Sequence, residues 1–181
     1  MDKTLVIYSS KYGATKKYAE WIAEELKGSI LEIGNVKNVD FKEYNIIVLG
    51  SGLYAGNIKG VDILEKNFKI IESKKIVIFA CGLADYSKEK NISNANKRLF
   101  KIIPKNLLER TKIFYLQGGI DYKKLNLIHK IMMGIMKMII VKKGLDKSNE
   151  EDKEFLETYG KMIDFTERKN ITGIIEYCKN N

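Results

Sequence analysis

The chain has 181 residues, 45% of them hydrophobic and 30% charged, enough for one globular domain over 1–181 that folds without disulfide or metal staples. With 32 basic and 23 acidic residues it carries a net charge of +9, and its two cysteines, Cys81 and Cys178, build no disulfide framework, which suits a reduced, cytoplasmic protein. A single histidine, His129, excludes the common zinc ligand sets, and any Ser-His-Asp triad would have to use it.

The apolar run of residues 4–8 is too short for a signal peptide and reads as a compact buried strand. A glycine-bearing loop follows, Ser9-Ser10-Lys11-Tyr12-Gly13-Ala14-Thr15. Over 15–27, Tyr18, Ala19, Ile22, Ala23 and Leu26 recur at helical spacing, and Gly28 is expected to end that helix. Residues 29–33 and 45–51 read as the second and third strands, the latter apolar throughout its middle, as a strand covered on both faces should be. The periodicity of Val61, Leu64, Phe68 and Ile71 predicts a helix over 61–71. A fourth strand over 75–81 precedes a helix capped by Ser93 and running through Leu99 to Ile103, interrupted at Pro104; a fifth strand covers 112–117.

Strands alternating with helices imply parallel pairing through right-handed crossovers, hence a three-layer α/β sandwich. Ligands of such sheets sit at the carboxyl ends of the strands, so the loops 9–15, 51–60 and 81–93 are the place to look. Beyond the fifth strand the alternation breaks. Residues 121–147 are apolar and basic without a strand pattern; Ser148-Asn149-Glu150-Glu151 matches a capping box opening a helix that Gly160 ends. Residues 162–165 look strand-like, and Thr166 is a candidate N-cap for a last helix over 168–179.

In the first loop, the hydroxyls of Ser9, Ser10 and Thr15 and the amides around Gly13 lie between a strand end and a helix N-terminus, where free N–H groups and the helix dipole favour phosphate. The Lys-Ser/Thr ending of a triphosphate P-loop and the three spaced glycines of a dinucleotide site are both lacking, so a single terminal phosphate fits best. A Ser/Gly-rich turn is also an ordinary helix cap.

Three stretches, in order and spacing, resemble the flavodoxin superfamily, and specifically the branch that includes the menaquinone-dependent protoporphyrinogen oxidases. They are the loop just described, Leu49-Gly50-Ser51-Gly52-Leu53-Tyr54-Ala55-Gly56, and Phe79-Ala80-Cys81-Gly82-Leu83-Ala84-Asp85 with Tyr86. Gly118-Gly119-Ile120-Asp121-Tyr122 and Ile163-Asp164-Phe165-Thr166 extend the match downstream. The resemblance implies a flavodoxin-like sandwich with a five-stranded parallel sheet in order 2-1-3-4-5 and a helical insertion at the fifth strand. It also implies non-covalent FMN, its phosphate on residues 9–15 and its ring between the loops around Tyr54 and Asp85. Gly52 and Gly56 would let backbone approach the ring, and Tyr54 or Tyr86 could stack on it. Asp85 is the one negative charge the second ring loop offers, and such a charge lowers a flavin's potential. Cys81, at a strand end, is expected to be a small buried apolar residue. No residue stands out as a general acid or base.

Over 125–141, 12 of 17 residues are apolar, and Asn126, Lys130, Gly134 and Lys137 share one narrow helical stripe, the only strip expected to meet water. The lysines and the length argue against a transmembrane helix. A helix packed over the sheet edge or making a homodimer contact is one reading of 121–147, and an interfacial helix on an anionic membrane surface is the other. Seven lysines against two acids put a net +5 in 121–147, leaving +4 for the other 154 residues. The segment has no Arg and few aromatics, so nucleic acid is not expected.

The resulting expectation is an FMN-dependent oxidoreductase, protoporphyrinogen dehydrogenase-like with a quinone acceptor, cytoplasmic and peripheral at the inner face of the membrane. A soluble electron-transfer flavodoxin passing electrons to a redox partner protein is the alternative, although carriers of that family are typically acidic. A cofactor-free interaction module is a third reading.

Overall fold

The computed structural model describes residues 2–54, 57–144, 148 and 150–180. The chain divides into two compact units, Met1–Gly118 with Thr166–Asn181, and Gly119–Phe165. In the first, β1 (Thr4–Ser9), β2 (Ser29–Glu32), β3 (Ile46–Gly52), β4 (Lys75–Gly82) and β5 (Thr111–Gln117) form a parallel sheet in the order β2-β1-β3-β4-β5. This is the α/β flavodoxin-like topology expected from the sequence.

Alternation along the central strands divides the core in two. Leu5, Ile7, Ile47, Leu49, Ile76 and Ile78 point to one face, where Leu64 of α2 (Val61–Lys66), Ile71 of α3 (Phe68–Ile71), Leu99 of α4 (Glu89–Leu99) and Leu107 of α5 (Lys105–Arg110) cover them. Val6, Ile46, Val48, Val77 and Phe79 point to the other, beneath Tyr18, Ala19 and Ile22 of α1 (Ala14–Leu26) and Ile174 and Cys178 of α8 (Thr172–Lys179). With both faces covered, the inner strands are apolar throughout, as parallel strands must be. Gly50 is required where β3 and β4 pair: a Cβ there would lie 2.1 Å from the Phe79 ring.

Several element ends differ from the sequence expectation. α1 is ended by Lys27, not Gly28: Lys27 adopts the left-handed conformation (φ 50°), and the Gly28 N–H closes the turn on the Ala23 carbonyl at 2.8 Å. Gly28 is demanded by proximity instead, since a Cβ there would lie 2.8 Å from the Thr4 carbonyl oxygen. The helix expected over 61–71 breaks at Asn67, whose side-chain amide donates to the Ile63 carbonyl (2.9 Å) and ends α2. α4 starts at Glu89, leaving Ser93 inside it, because Asp85 organises the approach: its carbonyl accepts from the Asn91 side chain (2.8 Å). The last helix starts as a 3-10 turn, Arg168–Ile171, before α8.

The second unit contains β6 (Gly119–Asp121), α6 (Leu127–Lys143), α7 (Glu150–Thr158) and β7 (Met162–Asp164). β6, too short for a periodicity signal, pairs antiparallel with β7, Ile120 opposite Ile163. Leu145 to Lys147 and the Asn149 of the capping box lie outside the described residues; Ser148 donates its hydroxyl to the Gly144 carbonyl (2.9 Å).

The polar stripe of α6 meets water as expected at Asn126, Lys130 and Lys137, which are exposed, but it is not the only strip that does. The Lys137 ammonium sits over the Tyr159 ring, 4.5 Å from its centroid, as a cation-π pair, and the Gly134 Cβ position is 3.8 Å from the Tyr159 hydroxyl. Ile140 is buried, whereas Leu127, Ile128, Ile131, Ile135, Met138 and Ile139 are exposed, Ile128 at 67% and Ile139 at 62%.

The two residues after α1 make opposite predictions. Gly28→Ala forces a Cβ into backbone and should cost roughly 1–3 kcal/mol, whereas Lys27→Gly relieves a left-handed residue and should gain about 1 kcal/mol. Urea unfolding of both variants checks the pair.

Candidate functional site

The in-register pairing of β1, β3 and β4 brings three loops together at the carboxyl end of the sheet: Ser9 stands opposite Ser51, and Gly52 opposite Cys81. The loop after β1 turns at Gly13, whose φ of 99° only glycine adopts without strain. Its N–H donates to the Ser10 hydroxyl (3.1 Å), and its carbonyl accepts from the Lys17 N–H (3.0 Å), the first bond of α1. Thr15 is buried in the first turn of α1, and the Ala14 methyl faces Gly118. Burial pushes the Tyr54 phenol up, and hydrogen bonding to the backbone of Lys11 and Tyr12 pulls it part of the way back. Backbone N–H groups in a glycine turn ahead of a helix N-terminus are donors of the kind a phosphate requires.

The loop after β3 folds back on itself. Tyr54 and Asn57 exchange backbone hydrogen bonds (3.1 and 3.0 Å) across Ala55 and Gly56, which lie outside the described residues. The Leu53 N–H donates to the Cys81 carbonyl (2.7 Å), tying this loop to the next strand. Ser51 is buried, and its hydroxyl accepts from the Lys59 N–H (2.8 Å) and donates to the Gly52 carbonyl (3.3 Å), so it holds the base of the loop. Gly52 is needed for close packing: a Cβ there would lie 2.4 Å from the Tyr54 ring. Tyr54 also meets Tyr12 edge-on, ring centroids 5.8 Å apart.

In the third loop Leu83 and Ala84 are exposed, and the Leu83 carbonyl accepts from the Gln117 side chain (3.2 Å). The Asp85 carboxylate accepts from both the N–H and the hydroxyl of Ser87 (3.0 and 2.7 Å), and those bonds hold its pKa below the ordinary value. It is therefore a fixed negative charge that also shapes the turn. Cys81 is buried as expected, and a Cβ on Gly118 would lie 2.7 Å from its sulfur.

The two tyrosines proposed to stack on a ring are used differently. Tyr86 tucks beneath its own loop, its ring 5.2 Å from Tyr115 and its hydroxyl 2.3 Å from the position a Gly82 Cβ would take. Tyr115 in turn donates to the Asn96 side chain. Tyr54 alone joins the phosphate-type loop to the ring-type loop. Burial pushes the phenols of Tyr54, Tyr86 and Tyr115 up to about 12.

Three contributors escape the sequence reading. Asn57 closes the Tyr54 turn, a role that its spacing across Gly56 in a four-residue turn could have suggested. Gln117 buttresses Leu83, and the Gly118 N–H donates to the Gly82 carbonyl (2.6 Å). Neither bond has a local signal, because each joins the end of β5 or the residue after it to the end of β4 or the residue after that, some 35 residues earlier in the chain. Among the described residues no cluster of His, Cys, Asp and Glu could hold a metal ion.

A parallel 2-1-3-4-5 sheet with phosphate-type donors after β1 and two glycine-bearing loops after β3 and β4 defines a nucleotide-binding α/β domain of the doubly wound type. The chain belongs to the flavodoxin domain family, whose model matches residues 5–149. No curated protein matches the chain. Among solved structures, a flavoprotein from Lactobacillus acidophilus in complex with FMN is similar at 19% identity, over 65% of this chain and 93% of that one, with a TM-score of 0.44. Oxidised flavodoxin 2 from Bacillus cereus shares 21% identity over 64% of this chain and 84% of that one (TM-score 0.42). The flavodoxin of Streptococcus pneumoniae TIGR4 shares 16% over 87% and 94% (TM-score 0.38).

The three raised phenols predict a one-sided alkaline transition. An acid whose pKa is higher folded than unfolded contributes stability below the unfolded value near 10 and loses it as pH rises towards about 12. The phenols should therefore lower the midpoint of thermal unfolding above pH 10 and leave it unchanged below, with tyrosinate absorbance rising across that alkaline transition.

Proposed function

We propose that the chain binds FMN non-covalently and acts as an FMN-dependent oxidoreductase. The observation that carries this reading is the loop ahead of α1, turned at Gly13 and closed by the Gly13 N–H on the Ser10 hydroxyl (3.1 Å), at the sheet end where the strand register also brings the loops after β3 and β4. The amides of such a loop suit a terminal phosphate, whose charge the helix N-terminus favours. Backbone around Gly52, Leu53 and Gly82 and the ring of Tyr54 would border the isoalloxazine, and Asp85 would set a negative charge near it. FMN supplies the acceptance of a hydride or electrons; the residues of this chain hold and orient it, and none is required as a general acid or base.

The finer reading is a protoporphyrinogen dehydrogenase-like reaction with a quinone acceptor, at the inner face of the membrane. It is supported by the resemblance of the three loops to that branch and by charge. The unit that carries the loops holds a net +8 of the chain's +9, suited to the anionic propionates of a porphyrinogen. The same excess weighs against a carrier that docks through acidic surface.

The absorption spectrum of the purified protein, followed by acid release and identification of the flavin, tests the cofactor; a colourless protein that takes up no FMN would refute it and favour an interaction module. Anaerobically reduced holoprotein should be reoxidised by a menaquinone, and inertness towards quinone together with rapid oxidation by a one-electron protein acceptor would favour the carrier. Ser10→Ala removes the acceptor of the Gly13 N–H and should weaken FMN about tenfold, measured by quenching of flavin fluorescence.

A further inference from the structure

We infer that the outward face of α6 is a docking surface for an anionic lipid bilayer, on which the helix lies flat. The assignment shares its setting with the quinone reading above, but adsorption itself needs no flavin, so the two fail separately.

Gly134, Lys137 and Ile140 are used within the second unit, the first two against Tyr159 and the last in burial. The opposite side presents Ile128, Ile131, Met132, Ile135, Met138 and Ile139, all exposed and spaced three or four residues apart along one face. A helix of 17 residues gives this face a length of about 25 Å, and a contiguous apolar surface of that size marks an interaction site. No helix among the described residues is long and apolar enough to cross a membrane. An occupant must therefore take the face sideways.

Charge selects the occupant. From Tyr122 to Gly144 there are six lysines (123, 124, 130, 137, 142 and 143) and no acid. Lys123 and Lys124 precede the helix and Lys142 and Lys143 close it, all four exposed; Lys124 pairs with Asp121 (3.8 Å) and Lys143 with Asp152 (2.8 Å), so Lys123 and Lys142, one at each end, are the cations whose stems can reach outward beside the apolar face. The acids that balance the unit to a net +1 are concentrated in α7, from Glu150 to Glu157, and α7 packs on α6; Asp152 takes Lys143 at 2.8 Å. A basic-rimmed apolar face suits anionic headgroups over acyl chains. A second copy would set lysines against lysines, with no acid on the face to receive them.

The test is partitioning of the full chain onto vesicles of phosphatidylcholine alone and of phosphatidylcholine with phosphatidylglycerol in equal parts. It is run for the natural sequence and for the triple variant Ile128→Gln, Ile135→Gln, Ile139→Gln, whose substituted positions are exposed; far-UV circular dichroism checks its fold. Binding to the anionic vesicles should exceed that to the neutral ones by at least about tenfold and should fall roughly a hundredfold in the variant. For the natural sequence alone, rising salt should release the protein. Equal binding to both compositions, no binding to either, or unchanged binding by the variant would overturn the assignment. So would a stable dimer in solution that the variant dissociates, which would give the face to a second copy.

Discussion

Everything at the candidate site depends on the register of three parallel strands. Because Ser9, Ser51 and Ala80 pair across β1, β3 and β4, the loops that follow them start at the same height and converge at one edge of the sheet. The apolar alternation that buries Leu5, Ile7, Leu49 and Ile78 on one face and Val6, Val48 and Phe79 on the other enforces this register, since a one-residue slip would exchange the two faces. Gly50 leaves room for the Phe79 ring of the neighbouring strand to lie over it, so the burial that stabilises the fold also positions the loops.

Much of this was legible in sequence because the signals are local. Strand runs such as Ile46-Ile47-Val48-Leu49, the helical spacing of Tyr18, Ala19 and Ile22, and the Ser/Gly content of residues 9–15 declare their conformations without tertiary help. What escaped was decided by contacts distant in sequence. Lys27 takes the left-handed position because its neighbour, which would ordinarily do so, is pressed against Thr4. Tyr54 and Tyr86 look equivalent in sequence, yet one meets Tyr12 edge-on while the other packs on Tyr115. Ser51 reads as a candidate ligand hydroxyl but is occupied by Lys59, eight residues on.

The charge shows how a segment can mislead where a folded unit does not. Residues 121–147 hold a net +5, but the acidic α7 that follows belongs to the same compact unit and reduces it to +1. The excess therefore lies with the flavodoxin-like unit, while in the second unit it is the separation of sign between α6 and α7 that matters. Likewise the polar stripe of α6 meets water as read, yet the apolar residues around it are exposed too, and Lys137 also lies over Tyr159.

The central claim is that the loop after β1 is a phosphate cradle. Amide chemical shifts on addition of FMN and of riboflavin, which lacks the phosphate, test it most directly. The account predicts that FMN moves the amides of Lys11, Tyr12 and Gly13 together with those of Gly52 to Tyr54, whereas riboflavin leaves the first group unmoved. Equal movement of the Lys11 to Gly13 amides by both compounds, or none with FMN, would contradict it.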